Sequence, residues 1–260
     1  MYKKTISILL LILLHIMTFT SFAEDTDTLY SLEELEWLSE HPEIKIGIMD
    51  SWPPMDYVDD LGVPRGIGVD FINLMNEKLN DRLVIMPDVW NVNYQKVIDF
   101  ELDAIMDITP REDREVYFNF TKQYIKVPHE IIAKEDGPYY QSLEELSNKT
   151  LAFEKDFFIV NYMRNNYPKS KVIEYASTSD ALDAVSKGEA DAYIGNRAVA
   201  TYIIEHELIS NLQLQGKVSV TSSTNAIGVR KDWPILASIL DKTLNAIPEE
   251  NKLEIYIKSL

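Results

Sequence analysis

The chain has 260 residues, of which 46% are hydrophobic and 26% are charged, a composition typical of a folded protein with one large or two modest domains. Acidic residues outnumber basic ones by 42 to 25, and the formal net charge of −17 indicates a solvated acidic surface rather than a surface for nucleic acid or anionic membrane. The absence of cysteine excludes disulfides, thiolate metal sites, a cysteine nucleophile and a lipidated cysteine anchor.

The first 23 residues have the pattern of a secretory signal peptide. Two lysines precede an apolar run over residues 6–14, and a small-x-small cleavage site ends at Ala23. A retained membrane anchor is the alternative, but the apolar run stops at His15 and is short for a span. Cleavage would remove two lysines and no acid, so the formal charge would change from −17 to −19.

Short helices and strands alternate through the first half of the chain. A capping box at Ser31-Leu-Glu-Glu34 predicts the start of a helix, and alternating isoleucines over 44–48 predict the first strand. Helices are then predicted over 67–79 and 93–100, and strands over 83–86 and 102–108, with Trp90 in a loop. This alternation predicts a mostly parallel sheet covered by helices.

The same alternation restarts after a polar stretch over residues 134–140. A second capping box at Ser142-Leu-Glu-Glu145 predicts another helix start, and residues 221–225 are predicted to be a polar connector between two late strands. Strands are predicted over 127–133, 150–153, 171–174, 190–194, 218–221 and 227–230, and helices over 157–166, 179–187, 196–207, 233–247 and 249–259. The pattern therefore indicates two α/β units.

The strand over residues 102–108 ends in a segment suited to ligand binding. It stops at Thr109-Pro110 and is followed by a charged turn that contains Arg114. A strand end that leads into a helix start commonly faces a crevice in α/β proteins, where backbone N–H groups are unpaired. The guanidinium of Arg114 suits a carboxylate or phosphate, although pairing with one of the nearby acids is the alternative.

Short motifs follow one another in a fixed order from about residue 30 to 258. The central one is Asp103-Ala-Ile-Met, Thr109-Pro110, Arg114, Phe118-Asn-Phe-Thr121 and Tyr124. The others are Ile44-Lys-Ile-Gly-Ile48, Trp52-Pro-Pro54, Tyr57, Gly66-Ile-Gly-Val-Asp70, Ala181-Leu182, Gly188-Glu-Ala-Asp-Ala192, Asn196 and Ile227-Gly-Val-Arg-Lys231. No single piece is specific, but together the chain resembles the bacterial extracellular solute-binding proteins, family 3. These are periplasmic receptors for polar amino acids and related solutes, also used as Venus-flytrap sensor domains.

The resemblance implies a two-lobed, type II periplasmic-binding-protein-like α/β fold, with two mostly parallel sheets joined by a two-strand hinge. Lobe 1 would comprise residues 24–131 plus 224–260, and lobe 2 residues 132–223. The crossing strands would lie near 131–133 and 225–228. Closure about this hinge would bury a ligand between the lobes.

The resemblance also implies a function and a location. The expected activity is binding, without catalysis, cofactor or metal, of a small polar solute that is anionic or amino-acid-like. An inner-membrane ABC permease or a membrane sensor protein, such as a kinase or cyclase, is the expected partner, and a monomer is expected. The location would be the periplasm of a Gram-negative cell, because an unanchored receptor would otherwise diffuse away.

Aromatic residues after the first two strands form one part of the expected ligand site. Trp52, Met55 and Tyr57 follow the first strand, and Trp90 follows the second. Ligand pockets are largely apolar and aromatic, although core packing is the alternative for both tryptophans. By resemblance, Met55 stands where the family has a stacking aromatic, and Trp90 matches a second one.

The polar part of the expected site also departs from the family pattern. Thr109 and Arg114 match residues that hold a ligand α-carboxylate, and Asp107 lies in the same segment. The family usually has a Gly-Thr or Gly-Ser pair after the strand over 150–153 and an Asp after the strand over 190–194. Their places are taken by Asp156 with Phe157, and by Asn196. These departures predict weak binding of a standard α-amino acid, and they resemble sensor domains more than a high-affinity scavenger.

An enzyme is the remaining alternative. Only four histidines occur, none at metal-ligand spacing, and there is no nucleophile elbow, P-loop or His-Glu-x-x-His pattern. A few proteins of this fold are periplasmic dehydratases, and His129 near the crossing strands keeps that alternative open.

Overall fold

A computed structural model describes residues 29–155 and 157–258, so the predicted signal peptide lies outside the described residues. The first half of the chain alternates between helices and strands, as the sequence predicts. Its elements are α1 (Leu32–Glu40), β1 (Ile44–Met49), β2 (Ser51–Trp52), β3 (Asp56–Val58), β4 (Pro64–Arg65), α2 (Ile67–Leu79), β5 (Leu83–Asp88), α3 (Trp90–Ile98), β6 (Ala104–Ile108) and β7 (Phe118–Phe120).

The second half begins with a long strand and ends with two helices. Its elements are β8 (Ile125–Lys134), β9 (Thr150–Glu154), α4 (Phe158–Asn166), β10 (Lys171–Tyr175), α5 (Thr178–Lys187), β11 (Ala192–Asn196), α6 (Arg197–His206), β12 (Leu212–Arg230), α7 (Pro234–Asn245) and α8 (Glu249–Lys258). Short 3-10 turns lie at Glu112–Arg114 and Leu143–Leu146. None of these described helices is both long and apolar enough to cross a membrane.

The main sheet runs through both halves of the molecule in the order β10-β9-β11-β8-β12-β6-β1-β5, with β7 beside β12. Most pairs within each half, such as β1 with β5 and β9 with β10, are parallel, whereas β8 and β11 of the second half are antiparallel. The pairs made by β12 with β6, β7 and β8 are antiparallel. The two-lobed fold is thus confirmed, and antiparallel strands join the two halves; the exact lobe boundaries stay a prediction.

Strand β12 is continuous where the sequence predicts a polar connector. Residues 222–225 pair with residues 125–128 of β8, and β12 then pairs with β6 from Ala226. The prediction of a connector over 221–225 is wrong because the neighbouring strand satisfies the backbone groups of this polar segment. Strand preference depends on such pairing more than on side-chain polarity.

The two predicted capping boxes have different outcomes. At α1, the Ser31 hydroxyl accepts from the Glu34 N–H at 3.2 Å, and the Glu34 carboxylate accepts from the Ser31 N–H at 2.7 Å. Ser142 makes no such bond, and only a 3-10 turn follows it. Here the Glu145 carboxylate instead accepts from the Gln141 N–H at 2.9 Å. The helix predicted after Trp90 begins at Trp90 itself.

Apolar cores lie beside the sheet in both halves, and the larger buried cluster includes residues from both. In the first half, Ile44, Ile46 and Phe71 are fully buried between β1 and α2. In the second half, Leu151 and Phe153 of β9 are fully buried with neighbours from α4. These cores fix the strands, and the carboxyl ends of β1, β6 and β11 therefore meet at one cleft between the halves.

Candidate functional site

A small cavity lies between the two lobes where these strand ends meet. Its volume is about 40 Å³, and residues from both halves contribute to its wall. The lining residues are Met49, Trp52, Trp90, Asp107, Thr109, Arg114, His129, Phe157, Ile159, Gly195, Asn196 and Asn225. Ligands of open α/β sheets bind at such a position, outside the carboxyl ends of the strands.

Three aromatic rings reduce the size of this cavity. Phe157 of the second lobe lies edge-on to Trp52, with ring centroids 6.0 Å apart, and 6.4 Å from the ring of Trp90. Small-molecule pockets usually measure about 300 to 1,000 Å³, and one water takes about 30 Å³ in the liquid. A solute larger than one or two waters therefore needs the lobes further apart or Phe157 displaced.

Arg114 places a buried guanidinium on the first-lobe side of the cavity. The residue is 8% exposed, and its Nη1 donates to the Thr109 carbonyl at 2.9 Å. The guanidinium carbon lies 5.0 Å from the centre of the Trp90 ring and 5.6 Å from that of Tyr94. Burial lowers the pKa of Arg114, and no carboxylate within the described ranges forms an ion pair with it. A buried cation without a counter-ion is costly, so this position favours an anionic group.

Asp107 belongs to a buried carboxyl pair behind the cavity. Its backbone is left-handed, with φ of 53°, and its Oδ1 accepts from the Tyr124 hydroxyl at 2.5 Å and from Asn225 Nδ2 at 2.7 Å. Its carboxyl interacts with that of the fully buried Asp56, and its Oδ2 has no hydrogen-bond partner within the described residues. Burial, and then the charge of Asp107, raise the pKa of Asp56 well above its usual value. Two carboxyls in such contact cannot both ionise, so the pair holds a proton.

Asn196 ends β11 and caps α6. Its Oδ1 accepts from the N–H groups of Ala198 and Val199 at 2.9 and 3.2 Å. The residue is 3% exposed, and its Nδ2 has no hydrogen-bond partner within the described part of the chain. Where the family usually has an Asp, the helix N-terminus uses the amide oxygen of Asn196 and leaves its N–H donor at the cavity wall.

His129 faces Asn196 across the β8–β11 pairing and also lines the cavity. It is 3% exposed, and burial lowers its pKa to about 4. The imidazole is therefore neutral at pH 7 and adds no charge to the site.

The structure brings most of the predicted site residues together. Trp52, Trp90, Asp107, Thr109, Arg114, Phe157 and Asn196 all line the cavity. Met55 is instead fully buried in the first-lobe core. Tyr57 lines a separate groove of about 730 Å³, where its ring lies 6.2 Å from that of Tyr202. Asp156 lies outside the described residues, and a ligand role for each of the ten residues stays a prediction.

Sequence reasoning did not place Asn225, Asp56 and Ile159 in the site region. Asn225 belongs to the segment assigned as a polar connector, and Asp56 begins β3, which has three residues and is too short to show a pattern. A signal for Asn225 does exist, because a buried strand residue of this type usually has a polar partner. Asp107 is that partner, 118 positions away in the chain.

A two-lobed α/β domain with a cavity of aromatic and polar side chains between its lobes is a ligand-binding domain of the Venus-flytrap class. The chain belongs to the bacterial extracellular solute-binding proteins, family 3, which it matches over residues 44–259. The Bordetella pertussis virulence sensor protein BvgS is 22% identical over 222 residues, covering 85% of this chain and 18% of BvgS. The Escherichia coli ABC transporter arginine-binding protein 1 is 23% identical over 214 residues, covering 79% of this chain and 85% of that protein.

Solved structures share the fold. The B. pertussis BvgS periplasmic VFT2 domain superposes with a TM-score of 0.80 at 20% sequence identity, covering 89% of this chain and 99% of that domain. The chain spans about a fifth of the length of the sensor proteins that it matches, so the relatives include both separate binding proteins and parts of larger sensors.

Proposed function

We propose that this protein binds a small polar solute in the cleft between its lobes and reports or delivers it to a membrane partner. The buried guanidinium of Arg114 carries this proposal, because a cation without a counter-ion is unfavourable unless a ligand supplies the charge. A solute that contacts both lobes only when they are closed would shift the population toward the closed form. Arg114 would anchor its anionic group, and Trp90 would stack against it.

Signalling is the favoured use of this binding. The three aromatic rings across the cleft leave about 40 Å³, which suits a domain that closes readily rather than a scavenger with a large preformed pocket. The virulence sensor BvgS is among the relatives that support this use. Delivery to an ABC permease is the second candidate, supported by the likeness to arginine-binding protein 1 along most of both chains.

The finer features of the proposal are a periplasmic location, a monomeric state and binding without turnover. The family consists of extracellular binding proteins, which supports a periplasmic location and binding without turnover. A dehydratase that uses His129 is the alternative to pure binding. If a candidate substrate disappears from an NMR sample that contains the wild type, and does not disappear with His129→Gln, the dehydratase alternative would be favoured.

Native mass spectrometry of the protein purified from periplasm without refolding is the direct test. We expect a mass surplus that disappears on mild unfolding and identifies the solute. That solute should raise the melting temperature of the wild type and of Arg111→Ala, but not of Arg114→Ala. Arg111 is a matched control because it pairs with Asp113 and does not line the cavity. Equal binding by Arg114→Ala would refute the proposal.

A further inference from the structure

Arg114 lines not only the small cavity but also a much larger open groove, called here the Arg114 groove. This groove has a volume of about 680 Å³ and is formed mainly by α3 and the 3-10 turn at Glu112–Arg114, with Asn161 contributed by the second lobe. Its volume lies within the usual range of small-molecule pockets, about 300 to 1,000 Å³. A ligand too large for the cavity can therefore contact Arg114 from the groove, without separation of the lobes.

The Arg114 groove has more positive than negative side chains, although the whole chain has a net charge of −17. Three cations and two carboxylates line it: Lys96, Arg111, Arg114, Asp99 and Asp113. Lys96 pairs with Asp88 at 2.7 Å, and Arg111 pairs with Asp113 at 2.9 Å. The Asp99 carboxylate accepts from Gln95 Nε2 at 3.0 Å. Of the three cations, Arg114 is the one that forms no ion pair in the described part of the chain.

The charges near Arg114 do not compensate for its burial. The residue is 8% exposed, and burial is the main cause of its lowered pKa. The charges of Arg111 and Asp113 also act on this pKa, but in opposite directions. Because a buried cation is stabilised by an anionic group in contact with it, the guanidinium favours an anion on any side that a ligand can reach.

The start of α3 is a second feature of the groove that favours an anion. The first turn of this nine-residue helix, with Trp90, Asn91 and Val92, lines the groove, and the N-cap residue Val89 provides no side-chain cap. The first N–H groups of a helix have no partner within the helix and carry partial positive charge. The helix N-terminus and the Arg114 guanidinium therefore both add positive potential to the groove.

We propose that the Arg114 groove is a second binding site, which takes a small oxyanion, a carboxylate or a phosphate, without separation of the lobes. The guanidinium carries five N–H donors, and Nη1 uses one of them on the Thr109 carbonyl. The remaining donors suit the oxygens of such an anion. Arg114 would then serve two sites, the cleft between the lobes and the groove.

NMR spectroscopy of the ¹⁵N-labelled protein would locate the anion. The probes are sodium acetate and sodium phosphate, each titrated at constant pH, with sodium chloride used to keep the ionic strength constant. We expect saturable shifts of the amide signals of Tyr94 and Gln95, which line the groove but not the cavity, and little change at Gly195, which lines the cavity but not the groove. A response to acetate would identify a carboxylate site, and a response to phosphate a phosphate site.

Two matched variants make the same chemical change in the groove and in the cavity. Asn161→Asp adds a carboxylate at an exposed position of the groove, where repulsion should weaken binding of the probe about fivefold. Asn196→Asp adds one in the cavity and should weaken binding much less. Asn148→Asp, at an exposed position that lines neither, should leave binding unchanged. Arg114→Gln removes the cation and should abolish binding.

The possible outcomes separate this inference from the proposed function. Shifts at Gly195 without shifts at Tyr94 and Gln95, together with a larger effect of Asn196→Asp than of Asn161→Asp, would place the anion in the cleft and overturn the inference. The absence of a saturable response to either probe would overturn it as well. In both cases the proposed function survives if a solute retained by the protein binds in a manner that depends on Arg114.

Discussion

The buried carboxyl pair provides a prediction with a defined sign. Asp56 is fully buried, and burial together with Asp107 raises its pKa well above 3.8 in the folded protein. The folded chain therefore retains a proton that the unfolded chain releases near pH 4. Stability due to this group is complete below the unfolded pKa, and it is lost as the pH rises until the folded pair releases its proton.

The size of the effect follows from linkage. Within that pH window, one retained proton lowers the free energy of unfolding by about 1.4 kcal/mol for each pH unit. Asp56→Asn cannot titrate, and its amide is uncharged and close in size to the protonated carboxyl that it replaces. The variant should therefore gain stability relative to wild type as the pH rises, by about 1.4 kcal/mol per unit.

Urea denaturation followed by tryptophan fluorescence at pH 5, 6, 7 and 8 would measure this difference. Other buried groups, such as Glu154, titrate in both proteins and cancel in the comparison. Asp60→Asn removes an exposed carboxylate and serves as the control. A stability difference between Asp56→Asn and wild type that does not change with pH would refute the reasoning.

Three other predictions concern stability. His129 is buried with a pKa of about 4, so the stability that its neutral imidazole contributes is complete above pH 6.5 and is lost as the pH falls. Between pH 7 and pH 4, urea denaturation should show that His129→Gln loses about 3 kcal/mol less free energy of unfolding than the wild type. Ser31→Ala removes the hydroxyl that caps Glu34 N and should cost about 1 kcal/mol, measured by thermal unfolding; no change would show that the cap is dispensable. Gly195→Ala would place a Cβ 2.0 Å from the Tyr193 hydroxyl and should cost about 1 to 3 kcal/mol in chemical denaturation, whereas a neutral result would show that the ring can move.

Much of the fold could be predicted because its signals are local. The capping box at Ser31 and the alternating isoleucines of β1 depend on neighbours within a few residues, and both are present in the structure. Continuous β12 could not be predicted, because its polar centre becomes a strand only through pairing with β8, about 100 positions earlier. The second capping box has the expected residue types, but in the structure the Glu145 carboxylate accepts a hydrogen bond from the Gln141 N–H instead.

The site could be predicted as a set of residues but not as a set of roles. Seven of the ten predicted residues line one cavity, because strand ends in an α/β sheet converge there. The polarity that Asn196 presents depends on which of its atoms the α6 N-terminus uses, and sequence alone does not give this. The proton held by the Asp56–Asp107 pair likewise depends on a partner 51 positions away in the chain, because Asp56 is fully buried beside Asp107.

The antiparallel pairing of β8 and β12 has a consequence for engineering. Ile125 pairs with Asn225, and Lys126 pairs with Thr224, so the chain enters and leaves the second lobe through two adjacent strands. The second lobe is therefore connected as an insertion whose two ends lie side by side. Domains with adjacent ends tolerate transplantation, and a second lobe from a relative could be grafted at this pair of strands. Such chimaeras would exchange the Asn196 side of the cleft while leaving Arg114 and its aromatic neighbours unchanged.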